Sequence, residues 1–152
     1  MRLVVVVVFV AVAVAASAAR VPHTRPVTPL AVPRSPVTVW DSVYSTNQAS
    51  RGETAYVKFC ARCHQASLGG ADQSPPLAGS AFLGNWNGLT LADLHDRIRT
   101  TMPSDSVGIV DRQVVTDVVA YMLKANGFPA GTAELPSDMD RLKAIAIQSS
   151  RP

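Results

Sequence analysis

The 152-residue sequence has only two cysteines, Cys60 and Cys63, and three histidines, His23, His64 and His95. There is no second cysteine pair, so a four-ligand zinc centre would have to draw on those scattered histidines. No βαβ pattern surrounds the cysteines, as a thioredoxin-like dithiol requires. Charge is sparse and balanced, with 14 Lys and Arg against 11 Asp and Glu, and aromatics make up 6%. The absence of a basic block or of interleaved basic and aromatic residues argues against a nucleic-acid surface. The balance is also too even to name a partner by long-range electrostatic steering. No internal repeat occurs, and no apolar run reaches the roughly 20 residues of a membrane-spanning helix.

The longest apolar run is Leu3 to Ala16, preceded by Arg2 and followed by Ala16-Ser17-Ala18. A charged start, a short apolar stretch and an A-x-A site make residues 1–18 a signal peptide. The expected location is therefore periplasmic. No cysteine follows the cleavage site, which argues against lipidation; an uncleaved segment would instead leave a membrane anchor. Residues 19–47 form a leader with prolines at 22, 26, 29, 33 and 36. That density prevents helix and favours an extended spacer. It serves either as a tether or as a leader with no role of its own.

The chemistry concentrates in Cys60-Ala61-Arg62-Cys63-His64. This is the C-x-x-C-H pattern of covalent haem attachment. Two thiols at i and i+3 share a helix face, so both can reach the vinyl groups on one porphyrin edge. His64 follows directly, placed to ligate iron. Attachment would consume both cysteines, which in an oxidising compartment would otherwise pair as a structural disulfide. Downstream, Pro75-Pro76-Leu77-Ala78-Gly79 reads as a loop able to cover a haem edge. The Pro75 carbonyl is the candidate acceptor for the other ring N–H of His64.

A methionine sulfur is the candidate sixth ligand. Met1 leaves with the signal, Met122 sits inside a helix among apolar neighbours, and Met139 lies in a polar tail. Met102, before Pro103, is the one on a loop.

Three stretches read as the main helices. Ser50-Arg51-Gly52-Glu53 has capping-box spacing and opens the first, which carries Gly52, Ala55, Tyr56 and Phe59 on one face. Gly52 should allow the last long helix to approach closely. Thr90-Leu91-Ala92-Asp93 opens the second, with Leu91, Leu94 and Ile98 inward and an end near Thr100. His95 beside that stripe reads as a surface or half-buried residue rather than a ligand. Asp111 to Asn126 is the third, with Val114, Val115, Val118, Val119 and Met122 on one face and Asn126-Gly127 as its stop. Tyr121 and Met122 should lie against the first helix and the haem. In the tail, Asp138 to Ile147 is amphipathic with Leu142 and Ile145 inward; the sequence leaves open whether it packs on the domain or on a partner. Arg97, Arg99, Trp86 and Tyr121 are candidates to hydrogen-bond haem propionates. Trp86 ranks first because a buried indole N–H needs an acceptor.

Taken together, Gly52, Tyr56, Cys60 to His64, Pro75 to Gly79, Met102-Pro103 and Asp117 to Tyr121 resemble the class I c-type cytochromes over about residues 50–135. Phe82, Trp86, Leu91 to Leu94, Arg97 to Pro103 and Ala120 to Gly131 resemble more closely the cytochrome domains found with quinoprotein alcohol and sugar dehydrogenases. The resemblance implies an all-α, small class I cytochrome c fold at 48–130, with 131–152 as a C-terminal extension. It implies one haem c with Cys60, Cys63, His64, Pro75, Leu77, Trp86 and Met102 around it, and His64 and Met102 on the iron. It further implies electron transfer from a quinoprotein dehydrogenase to an oxidase or another cytochrome, in a separate carrier or subunit. The rival is a haem peroxidase or gas sensor with a labile sixth position, for which His95 would have to supply distal acid–base chemistry. A structural subunit held by the leader and tail is compatible with the carrier.

Overall fold

A computed structural model describes residues 36–151; the expected signal peptide at 1–18 and residues 19–35 of the leader expected at 19–47 lie outside the described residues. The described chain opens with a two-residue strand, β1 (Val37–Thr38). Thr38 and Asp41 then close a turn, the Thr38 N–H donating to the Asp41 carboxylate at 2.7 Å.

The first long helix, α1, spans Thr46–Phe59. Its start lies earlier than the capping-box spacing at Ser50 predicts. Ser45 is the cap, its hydroxyl accepting from the Gln48 N–H at 3.1 Å and so satisfying one of the first-turn donors. Ser50 sits inside the helix and donates back to the Thr46 carbonyl, the usual fate of a mid-helix serine. After Cys60 come the short helices α2 (Ala61–His64) and α3 (Ser80–Trp86).

Helix α4 spans Leu91–Thr101 and carries the predicted capping box, with Thr90 and Asp93 bonding reciprocally. Helix α5 covers Arg112–Ala125, capped by Asp111 as its sequence predicts and stopped at Asn126, with Gly127 at φ 79°. A short α6 (Met139–Lys143) precedes β2 (Ile145–Ala146), which pairs in parallel with β1. Apart from that strand pair, the described architecture is the all-α one expected.

The central contact is α1 against α5. A Cβ on Gly52 would collide with the Asp117 carbonyl and stand 3.0 Å from Tyr121 Cβ, so only glycine allows this approach. Beside it Tyr56 meets Tyr121 at 5.3 Å between ring centroids. Arg51 flanks the crossing, bonding both Asp117 and Glu134.

The tail packs on its own domain. Gln48, fully buried, makes two bonds with the Leu135 backbone, donating to its carbonyl at 3.0 Å and accepting from its N–H at 2.7 Å. Leu142 and Ile147 are buried with Leu91 and Leu94 of α4. The Ile147 N–H donates to Leu89, and the Trp40 indole donates to the Gln148 carbonyl.

Candidate functional site

The end of α1, α2 from Arg62 to His64, the 73–77 loop, the end of α3, the inner face of α4, the 102–110 loop and α5 surround one cavity of about 580 Å³. That volume lies within the range of cofactor sites. Cys60, Cys63, His64, Pro75, Leu77, Trp86 and Met102, scattered over 43 positions of sequence, all line it.

Cys60 ends α1, its N–H donating to the Tyr56 carbonyl at 2.8 Å, and the chain then turns into α2. Its thiol is half-buried while Cys63 is exposed. Burial, and then the neighbouring Cys63, push the free Cys60 thiol up to about 11, so before any thioether forms it is protonated at neutral pH. Tyr56 beneath it is fully buried, which raises its phenol above the ordinary value. Its hydroxyl donates to the Gln65 carbonyl at 2.6 Å, tying α1 to the residue after the motif.

His64 is buried, and its Nδ1 lies 2.9 Å from the Pro75 carbonyl oxygen. A carbonyl can only accept, so the proton is on Nδ1 and the Nε2 lone pair is left for a metal. This is the bond expected for Pro75 from sequence. The loop supplying it is fastened in turn. Gly70 N–H donates to His64 O, Leu77 N–H donates to Leu68 O, and Asn126 bridges Leu77 O and Gly79 N at the end of α5.

Met102 caps the C-terminus of α4, its N–H donating to the Ile98 carbonyl at 2.9 Å, and it is half-buried. The loop that follows lines the cavity through Pro103 to Ser106 and Ile109. Within it Asp105 accepts from the Ser106 hydroxyl and pairs with Arg62 of α2; Ser106 first and Arg62 second hold the Asp105 carboxyl below the usual range.

Other candidates divide. Trp86 and Arg97 border the cavity, whereas Arg99 and Tyr121 do not, Tyr121 being engaged with Tyr56. His95 is 1% exposed, and it lines no part of the cavity. Its Nε2 lies 3.2 Å from the Arg112 carbonyl, leaving Nδ1 buried without a partner among the described residues. Burial, more than any neighbour, pulls its pKa below the ordinary value.

Sequence reasoning did not anticipate the apolar wall that Leu94, Ile98, Val115 and Val118 present to the cavity, although each lies on a stripe visible at helical spacing. Met122, which the sequence does place against the haem, lines it as well, so two methionine sulfurs border one space. The Arg62–Asp105 pair had no signal in the sequence. As a set, two thiols, one imidazole with a free Nε2, thioethers and apolar walls suit an iron porphyrin attached through sulfur. Lys58 and Arg97 add cationic side chains among the lining residues for its carboxylates.

The model of the family described as cytochrome C oxidase, cbb3-type, subunit III matches residues 47–122. No curated protein matches the chain. Among solved structures, the sulfane dehydrogenase SoxCD from Paracoccus pantotrophus is similar, with 17% identity, 78% of this chain and 68% of that chain covered, and a TM-score of 0.46.

Proposed function

The chain belongs to the family described as cytochrome C oxidase, cbb3-type, subunit III, a class I c-type cytochrome with covalently bound haem c, and we propose that it is a monohaem, single-electron carrier. In this reading Cys60 and Cys63 hold the porphyrin through thioethers, and His64 and Met102 ligate the iron. Bound haem c supplies a one-electron iron couple, and histidine–methionine ligation raises its potential. The protein's own residues set the environment. Pro75 O fixes the His64 tautomer, Leu77, Leu94, Ile98, Val115 and Val118 keep the pocket dry, and Trp86 and Arg97 would supply donors for the haem propionates.

One observation carries this reading: thiols, oriented imidazole and a thioether on the α4–α5 loop border a single cavity. The peroxidase or sensor alternative needs a distal acid–base group, and His95 instead points its Nε2 at the Arg112 carbonyl, outside that cavity. The finer proposal follows from the sequence resemblance and the apolar N-terminus. The carrier works in the periplasm, takes electrons from a quinoprotein dehydrogenase and passes them to an oxidase or a second cytochrome.

The test is spectroscopic. A pyridine haemochrome spectrum should report one haem c per chain, and the ferric protein should show the methionine–iron band at the red end of the visible range. Met102→Ala should abolish the band and open the iron to cyanide, whereas Met122→Leu should keep it. The opposite pattern would move the ligand to α5, and a high-spin parent would favour the sensor. Rapid-mixing reduction by a purified quinoprotein alcohol dehydrogenase tests the donor; no reduction beyond the rate with a non-partner would remove that assignment.

A further inference from the structure

The loop 103–110 closes the cavity between α4 and α5, yet it is weakly fastened. Its backbone bonds are internal, Ser106 N–H to Pro103 O and Ile109 N–H to Ser106 O. Val107 and Ile109 are 55% and 62% exposed, so they do not pin it to the core; Val110 is buried at its far end. Among the described residues, the polar tie from this loop to the rest of the chain is Asp105 to Arg62. Arg62 is not on a neighbouring loop. It lies between the two motif cysteines, in the helix that ends at His64. The pair therefore joins the segment carrying the imidazole to the segment carrying Met102.

We propose that Arg62 and Asp105 are positioning residues that latch the Met102 loop across the mouth of the haem cavity, setting how often the thioether leaves its place. The inference rests on Met102 being the sixth ligand, as proposed above. Once the thioethers and His64 are fixed, Arg62 is a stationary post. Asp105 sits three residues past Met102, so releasing it frees the loop to swing on Met102 and Val110. Both partners are solvent-exposed, with side-chain exposures of 77% and 51%. Exposed pairs contribute little to global stability, but a tie of this kind changes a local opening equilibrium up to about fivefold. They are also screened by salt, the Debye length falling from about 30 Å at 0.01 M to about 3 Å at 1 M. The latch thus makes ligand release depend on ionic strength and on any charged surface that docks over the mouth.

The experiment uses the ferric holoprotein and follows cyanide binding, which must wait for the loop to open, together with the methionine–iron band. Arg62→Gln and Asp105→Asn should each speed cyanide binding about fivefold at low salt and lose most of the parent's acceleration by salt. The double variant should be no faster than either single one. The exchange Arg62→Asp with Asp105→Arg should recover the slow rate, which a loss of loop packing would not. Parent-like rates in both single variants, or effects that simply multiply in the double variant, would overturn the latch while leaving the ligand assignment standing. Absence of the methionine–iron band from the parent would overturn both.

Discussion

At Gly52 the absence of a side chain decides how two helices meet. A Cβ there has nowhere to go but into the Asp117 backbone, which cannot yield without moving α5. Gly52→Val should therefore cost about 3 kcal/mol, the upper range of overpacking, read from denaturant unfolding of the holoprotein. A loss below about 0.5 kcal/mol would show that the crossing adjusts freely. His95 decides how the protein responds to acid. Its burial between α4 and the start of α5 favours the neutral ring and outweighs the hydrogen bond to the Arg112 carbonyl, which favours the charged one; the Arg112 and Arg99 charges add to the first preference, and Asp96 opposes it. A group with a lowered folded pKa contributes its full stability above its ordinary value of about 6.5 and loses it as pH falls below. Unfolding free energy should thus decline from about pH 6.5 downward, and His95→Gln should remove part of that decline. An identical slope in the variant between pH 6.5 and 5 would exclude His95 as its source. Both residues were visible in the sequence, but only Gly52 was legible. A glycine on an apolar helix face has one obvious use, whereas a histidine beside an apolar stripe looks alike whether it faces solvent or core.

Among the elements, α4 and α5 were readable to their caps because Thr90, Asp93, Asp111 and Asn126 each use their side chain for the backbone of their own helix. Helix α1 was not. Ser45 to Gln48 and Ser50 to Glu53 both have capping-box spacing, and local pattern cannot rank them. What distinguishes them is a partner 87 residues away: Gln48 gives its amide to Leu135 rather than to its own cap. The same contact explains why the tail looked detachable in sequence and is buried in the fold. Its anchor is a polar side chain on α1, with no hydrophobic period to announce it. Gln48→Ala should leave the Leu135 N–H and C=O buried and unpaired, costing about 3 kcal/mol. The loss should be accompanied by faster amide exchange at Leu135 and in β2. Unchanged exchange there would mean that β1–β2 pairing and Leu142 hold the tail without α1.

For the molecule as a whole, Cys60, Cys63, His64 and Met102 could be picked out because C-x-x-C-H and Met-Pro are short motifs with fixed chemistry, while the cavity they line together with Pro75, Leu77 and Trp86 exists only once α1, α4 and α5 are packed. That packing has an unusual centre. Leu77, Leu94, Ile98, Val115, Val118 and Met122, which would fill the core of an ordinary domain of this size, border a space of about 580 Å³ instead. Without a porphyrin the surfaces they turn to that space meet water or collapse together. Either outcome lowers the apolar burial on which a small domain depends, where net stability is only about 5–15 kcal/mol. The remaining ties are α1 on α5 at Gly52, the Gln48–Leu135 bonds, the two-residue strand pair and a smaller apolar cluster that includes Tyr44, Leu91, Leu123, Leu135 and Leu142, and they leave the walls of the cavity uncovered. Chain produced without haem, or carrying Cys60→Ser with Cys63→Ser, should therefore show reduced helical circular dichroism and no cooperative thermal transition. The haem-loaded parent should melt as a single unit. A cooperative melt of the haem-free chain with native helical content would mean that the α1–α5 crossing and the tail suffice. The haem would then be a guest of the fold and not its core.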